Sequence, residues 1–131
     1  MGISLVATIV ATIVSFVLGA LWYGPLFANS WMAANGFTRE ELQQDFNPGM
    51  TYGTTFVLAL VSAFVLGTLL GPRPSLGRAT GTGLAVGLGC VAASLATNYL
   101  FERKGAPLIL INGGYHAARF TLMGMAFGLL G

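Results

Sequence analysis

Four polar side chains that could bind a ligand lie at helical spacing near the end of the chain. Asn112, Tyr115, His116 and Arg119 are separated by three, one and three residues, so a helix places them on one face. A guanidinium in apolar surroundings is costly unless it is paired or faces a polar cavity. Arginine can also hold a carboxylate or phosphate, while amide, phenol and imidazole groups orient it.

The elements that must position this cluster are predicted to cross a membrane. The 131 residues are 55% hydrophobic and only 8% charged, whereas soluble domains carry about 25% charged residues. Apart from Arg119, the charges gather between four apolar stretches of about 20 residues, which is the spanning length. The predicted spans are residues 3–23, 52–70, 78–101 and 107–130.

These spans predict an all-α, polytopic membrane protein, because lipid leaves backbone groups no partner outside the helix. The connections are short, so residues 1–131 are expected to form a single domain, a compact bundle of four transmembrane helices. The first stretch is too long for a signal-peptide core and has no basic region before it, which indicates a retained helix.

A short interfacial helix is predicted in the first loop. Thr38 and Glu41 form a capping box, and Phe37 and Leu42 occupy the two positions of a hydrophobic staple. The helix should run over residues 39–46 and serve either as an interfacial cover or as a docking surface.

Depth along the spans predicts a polar seam between the first and fourth helices. Thr12 and Ser15 should lie near the level of Tyr115 to Arg119, and Asn98 of the third span near Asn112. Three interpretations stay open: a structural hydrogen-bonded cluster, a pocket in which Arg119 takes an anion, or contact with another subunit. Four further residues are expected at the membrane interface: Trp22, Tyr23, Trp31 and Glu102.

Cofactor chemistry and catalysis are not expected. The single histidine, His116, could be an axial ligand of haem or of a chlorophyll-type pigment, but a hydrogen-bonded core histidine is the favoured interpretation. The single cysteine, Cys90, excludes an internal disulfide and a multi-cysteine metal site. The acidic residues lie in loops, so the seam offers no nucleophile, base and acid together, and we expect neither an enzyme nor a bound metal.

Small residues recur along the third span. Small faces drive helix association in lipid, so this span is expected at the centre of the bundle, and other transmembrane subunits are expected partners. The net charge of +2 gives no basic cluster for nucleic acid, and the basic residues weakly favour cytoplasmic first and third loops. The small residues form one line, Gly77, Gly81, Ala85, Gly89, Ala93 and Thr97, with Gly83 and Gly87 as a second pair.

Three motifs resemble the DUF1761 family, small bacterial and fungal four-helix membrane proteins of unknown function. They are Leu-Trp-Tyr-Gly-Pro-Leu-Phe at 21–27 with Trp-Met at 31–32, Thr-Asn-Tyr-Leu-Phe-Glu at 97–102, and Leu-Ile-Asn-Gly-Gly-Tyr-His at 110–116. The resemblance implies a fold without an activity, in the bacterial cytoplasmic membrane. The first loop is more acidic here than in similar chains, which leaves the orientation open.

Two functions are therefore expected from different classes. One is a non-enzymatic accessory subunit of a larger membrane complex. The other is a binder or carrier of a small anionic or lipid-like ligand that uses the polar seam. Pairing of Arg119 within the protein favours the first, and a ligand-sized cavity facing Arg119 favours the second.

Overall fold

The computed structural model describes residues 4–131, and every regular element in that range is helical. Residue 3, where the first span was predicted to begin, lies outside the described residues. The helices are α1 (Leu5–Leu21), α2 (Ala28–Asn35), α3 (Arg39–Gln43), α4 (Pro48–Leu70), α5 (Leu76–Leu84), α6 (Ala93–Phe101) and α7 (Ala106–Leu130). Two π-helical segments, Trp22–Leu26 and Ala85–Ala92, follow α1 and join α5 to α6.

Three continuous helices are long and apolar enough to cross a membrane: Leu5–Leu26, Pro48–Leu70 and Leu76–Phe101. Helix α7 has 25 residues, but it carries the polar cluster and is not among these three. The all-helical fold is confirmed, while the count of four spans stays a prediction.

The Gly-Pro pair at the end of the first span kinks the chain. Gly24 has the non-helical angles φ −101° and ψ −106°, within the π-helical turn Trp22–Leu26. Proline lacks an N–H and its ring crowds the preceding turn, so a regular α-helix does not continue through Pro25. Helix α2, which the sequence did not predict, follows and ends at Gly36 with φ 74°.

The predicted capping box at the start of α3 is confirmed, although the helix is shorter than predicted. The backbone N–H of Glu41 donates to Thr38 Oγ1 at 3.1 Å, and that of Thr38 donates to Glu41 Oε1 at 2.8 Å. The Asn-Pro-Gly sequence at 47–49 starts α4 four residues before the predicted span. Asn47 Oδ1 accepts the backbone N–H of Met50 at 3.0 Å, and Pro48 takes the first turn, where its missing N–H costs nothing.

Helix α7 lies at the centre of the bundle, which corrects the prediction for the third span. It packs against α1, α5, the second π-helical segment, α2, α6 and α4. Only the second pair of small residues on the third span faces α7: added side chains at Gly83 and Gly87 would meet the backbone of Phe120 and of His116. The longer line of small residues, Gly77, Gly81, Ala85, Gly89, Ala93 and Thr97, is exposed.

The packing of the bundle differs between its two ends. The buried apolar cluster is formed by the first half of α1, the second half of α4, the start of α5 and the second half of α7. At the opposite end, residues 48–58 of α4 are all exposed, and α2 and α3 complete that end. The fold is therefore closed around the α4–α5 connection and open beneath α3.

Candidate functional site

Arg119 is held inside the protein between α1 and α7. Its side chain is 7% exposed, Nε donates to Ser15 Oγ at 2.8 Å, and Nη1 lies 3.3 Å from His116 Nδ1. The guanidinium carbon also lies 4.7 Å from the ring centroid of Phe120, a favourable cation–π distance. The helical spacing therefore brings Arg119 and His116 together as predicted, with Ser15 as the partner across the seam.

Tyr115, about one turn before Arg119 on α7, also bonds to Ser15 of α1. Its hydroxyl donates to the carbonyl oxygen of Ser15 at 3.1 Å. A Cβ added at Gly19 would lie 2.9 Å from that hydroxyl oxygen, so a larger residue there would displace the phenol from this position. Thr12 is buried as expected, but its hydroxyl donates to the carbonyl of Thr8 at 2.8 Å and not to the arginine.

Asn112 joins two tyrosines from different helices. The hydroxyl of Tyr23 donates to Asn112 Oδ1 at 2.5 Å, and Asn112 Nδ2 donates to the hydroxyl oxygen of Tyr99 at 2.8 Å. Asn98, the residue predicted to close the seam, is exposed. Its neighbour Tyr99 takes that place, because the π-helical segment before α6 changes the rotation of every later residue about the helix axis.

The aromatic residues predicted at the membrane interface mostly turn inward. Trp22 is partly buried, and its Nε1–H donates to the carbonyl of Ile111 at 2.9 Å. The rings of Tyr23 and Trp31 meet edge to face, with centroids 6.1 Å apart. Glu102 alone stays exposed, directly after α6.

A cavity of about 740 Å³ lies beneath α3, and we call it the α3 cavity. Arg39 and Leu42 of α3 lie on one side, the first turns of α4 on another, and α6 on a third. Its inner wall carries His116, while Arg119 is not among the lining residues. The other lining residues are Tyr23, Ala28, Trp31, Met32, Gln43, Phe46, Thr51, Tyr52, Thr55, Leu95, Tyr99 and Asn112.

A second cavity of about 510 Å³ adjoins the first on the side of α1. Both are lined by Tyr23, Thr51, Tyr52 and Thr55. The open end of the bundle thus contains a volume in the range of small-molecule sites, mostly apolar, with a few polar groups on one wall.

The sequence predicted the polar residues of this site but not the cavity that they line. Asn112 and His116 were predicted from their spacing, yet the apolar walls come from α2, α3 and the first turns of α4. Nothing in the spacing of these residues signals that α4 diverges from the bundle.

Comparison with known proteins gives one family. Searches of curated proteins and of solved structures give no match. A family described as a protein of unknown function, DUF1761, matches residues 6–128 and so includes the whole polar wall. The chain belongs to the DUF1761 family.

Proposed function

We propose that this protein is a polytopic membrane protein of four spanning helices that binds or carries a small amphipathic ligand in the α3 cavity. Three helices have the length and hydropathy of membrane spans. Helix α7 has 25 residues, about 37 Å, which is long enough to be the fourth. Its polar residues are directed towards α1 and the cavity, so they need not contact lipid.

The α3 cavity is the single observation that carries this proposal. Its volume suits a small ligand, and a mostly apolar lining with a few convergent polar groups is typical of such sites. Within residues 4–131, α4 and α6 both line the cavity and are not among the closely packed helix pairs. A ligand dissolved in the bilayer could enter between them.

Binding is proposed rather than chemical conversion because of the side chains that line the cavity. The polar ones provide one imidazole, three phenols, two threonine hydroxyls, two amides, one indole and one guanidinium. No carboxylate and no thiol is among the residues lining it. General acid–base chemistry would therefore depend on His116 and the phenols, and a hydroxyl nucleophile would have no carboxylate to assist it.

Native mass spectrometry tests the proposal. The full chain would be purified in mild detergent from the membrane of its own cell, and the bound mass measured. We expect a bound small amphipath in the wild-type protein and its loss in Leu95→Trp, which fills the cavity from α6.

The matched control is Leu100→Trp, on the same helix at a position that is 67% exposed. This variant should keep the bound mass. A wild-type protein without any bound mass, or equal retention by both tryptophan variants, would refute the proposal.

A second candidate function is a structural or accessory subunit of a larger complex in the bacterial cytoplasmic membrane. The exposed line of small residues on α5 and α6 supports it, because such faces let a partner transmembrane helix approach closely. Pairing of Arg119 with Ser15 also agrees with a structural role for that residue.

Co-purification separates this candidate from a ligand binder. Replacing Gly81 and Gly89 with Leu should release stoichiometric partner proteins while leaving the fold intact, since both positions are exposed and an added Cβ there meets nothing within 4 Å. Leu88→Phe adds volume to the same segment at another exposed position and should retain the partners. A wild-type protein that purifies without partners would remove this candidate.

A further inference from the structure

The guanidinium of Arg119 is buried without an acidic side chain near it. The chain has four acidic residues. Glu40 and Glu41 are on α3, and Asp45 and Glu102 follow α3 and α6. None of them lies on α1 or α7, the two helices that enclose the guanidinium. Its known contacts, a serine hydroxyl, an imidazole and aromatic rings, are all uncharged groups, so they do not neutralise the charge.

His116 connects this charge to the α3 cavity. Arginine has only donors, so in its contact with Nη1 the His116 Nδ1 must accept. The imidazole is then neutral and carries its hydrogen on Nε2. Nε2 has no hydrogen-bond partner among residues 4–131. Every buried side-chain nitrogen or oxygen in that range has a partner, so Nε2 is not buried and is accessible. His116 lines the cavity, so the accessible Nε2–H is the donor that we assign to a ligand there.

The tyrosine pair provides a second donor on the same wall. Tyr23 donates to the oxygen of Asn112, and the amide nitrogen donates to Tyr99, which leaves the hydroxyl hydrogen of Tyr99 without an acceptor in the described chain. The reversed amide orientation would leave the hydroxyl hydrogen of Tyr23 instead. Both tyrosines line the cavity, so either orientation offers one O–H donor to a ligand.

The electrostatic character of the lining favours an anion. Arg39 is the only charged residue among those that line the cavity. The two donors, His116 Nε2–H and a tyrosine O–H, with the buried Arg119 cation behind the histidine, are complementary to a negatively charged acceptor. Hydrogen bonds to ionised groups are about twice as strong as those between neutral groups.

We propose that the α3 cavity binds the carboxylate of a long-chain acid, which accepts hydrogen bonds from His116 Nε2 and from the tyrosine hydroxyl. This inference rests on the proposed ligand-binding function and names the chemical class of the ligand. Arg119 acts as a positioning residue: it fixes the tautomer of His116 and supplies the positive charge one ring away. The acyl chain lies along the apolar walls and leaves between α4 and α6.

Quenching of tryptophan fluorescence tests the head group. Trp31 lines the cavity, so a brominated long-chain acid bound there quenches its emission. The probes are this acid and its methyl ester, titrated into the full chain in detergent at mildly alkaline pH. Quenching that disappears in Trp31→Phe is assigned to the cavity. We expect the acid to bind about tenfold more tightly than the ester.

Two variants locate the carboxylate. His116→Leu should reduce acid binding about tenfold and leave ester binding unchanged, while His116→Gln, which keeps an N–H donor, should recover part of the loss. Arg39→Gln, which removes the charged residue of the lining, should weaken the preference for the acid by less than His116→Leu does. Loss of the preference in Arg39→Gln with retention in His116→Leu would place the head group at α3 and overturn the inference.

The outcomes of these titrations test the carboxylate inference separately from the proposed ligand-binding function. Equal binding of acid and ester would refute the carboxylate while the ligand-binding function stands. Absence of cavity quenching by both probes would refute both. If His116→Leu does not fold, Arg39→Gln still decides where the head group lies, because complete loss of the preference for the acid in that variant would place it at α3.

Discussion

At the scale of single residues, Arg119 links the packing of the bundle to the proposed site. It holds α1 through Ser15, orients His116, and stays out of the cavity itself. The sequence left three roles open for this arginine: a structural one, ligand binding, or pairing with another subunit. The geometry places a histidine between the guanidinium and the cavity, so one residue can serve the first two of these roles.

Ser15→Ala tests the structural part of this role. The substitution removes the acceptor of the Arg119 Nε–H at a site that is 1% exposed, and it leaves a buried charged donor without a partner. We expect a loss of about 1–3 kcal/mol in the free energy of unfolding, measured by denaturation in detergent.

The double variant Ser15→Ala, Arg119→Leu is the control. It removes the donor as well, so the loss should be largely recovered, since replacing both members of a buried polar pair with apolar groups is often nearly neutral. Strictly additive losses would show that the two side chains do not interact.

The positions of the polar residues relative to one another were predictable where a single helix carries them. Asn112, Tyr115, His116 and Arg119 share a face because α7 is a regular helix over its whole length. For residues on different helices, the level along the bundle was easier to predict than the rotation of each side chain about its helix axis. Tyr99 rather than Asn98 reaches Asn112, because the π-helical segment before α6 breaks the regular spacing on which the prediction depended.

At the scale of helices, the closest approach in the bundle is between α5 and α7. A side chain added at Gly83 would collide with the carbonyl group of Phe120, and one at Gly124 with that of Ala79. Because backbone atoms lie on both sides of this contact, no flexible side chain can move away to relieve the collision. This contact holds α7 in place and with it the polar wall of the cavity.

Gly83→Ala should therefore destabilise the protein by about 1–3 kcal/mol, a typical cost of overpacking. Gly81→Ala, in the same helix, is the matched control, because nothing lies within 4 Å of an added Cβ. It should cause no loss of stability, since alanine favours helix more than glycine does. Thermal unfolding in detergent measures both, and equal effects would contradict the assigned contact.

Helix boundaries were predictable where capping chemistry is local. The capping box of α3 lies where the sequence places it. At Asn47-Pro48 the same kind of local chemistry starts α4, with Asn47 as the N-cap and Pro48 in the first turn. At Gly24-Pro25 it kinks the chain within the π-helical turn that follows α1.

At the scale of the whole molecule, the four spans that we propose would place residues 4 and 131 on one side of the membrane. Single cysteines at Asp45 and Lys104, in a Cys90→Ala background, should then be labelled from the opposite side to one at Arg73. A tag after residue 131 should share the side of Arg73. A tag on the side of Lys104 would show that α7 does not cross, leaving the three apolar helices as the only spans.

The uneven packing of the bundle is the basis of the functional proposal. One end is closed by alanine, leucine and phenylalanine side chains around α7, while the other contains the α3 cavity with donors on its inner wall. A purely structural bundle would gain van der Waals contacts between its helices by closing that end, because such packing is a main source of helix association in lipid. The open end is thus better explained by something that occupies it.

Photo-crosslinking in the native membrane tests the central claim most directly. A long-chain acid carrying a photoreactive group would be added to cells that express the full chain, and the labelled peptides mapped after irradiation. Labels concentrated on the cavity walls, around Thr51, Leu95 and Trp31, are the predicted result. Labels spread over outward-facing residues such as Phe101 and Leu110, without enrichment at the cavity, would contradict the account.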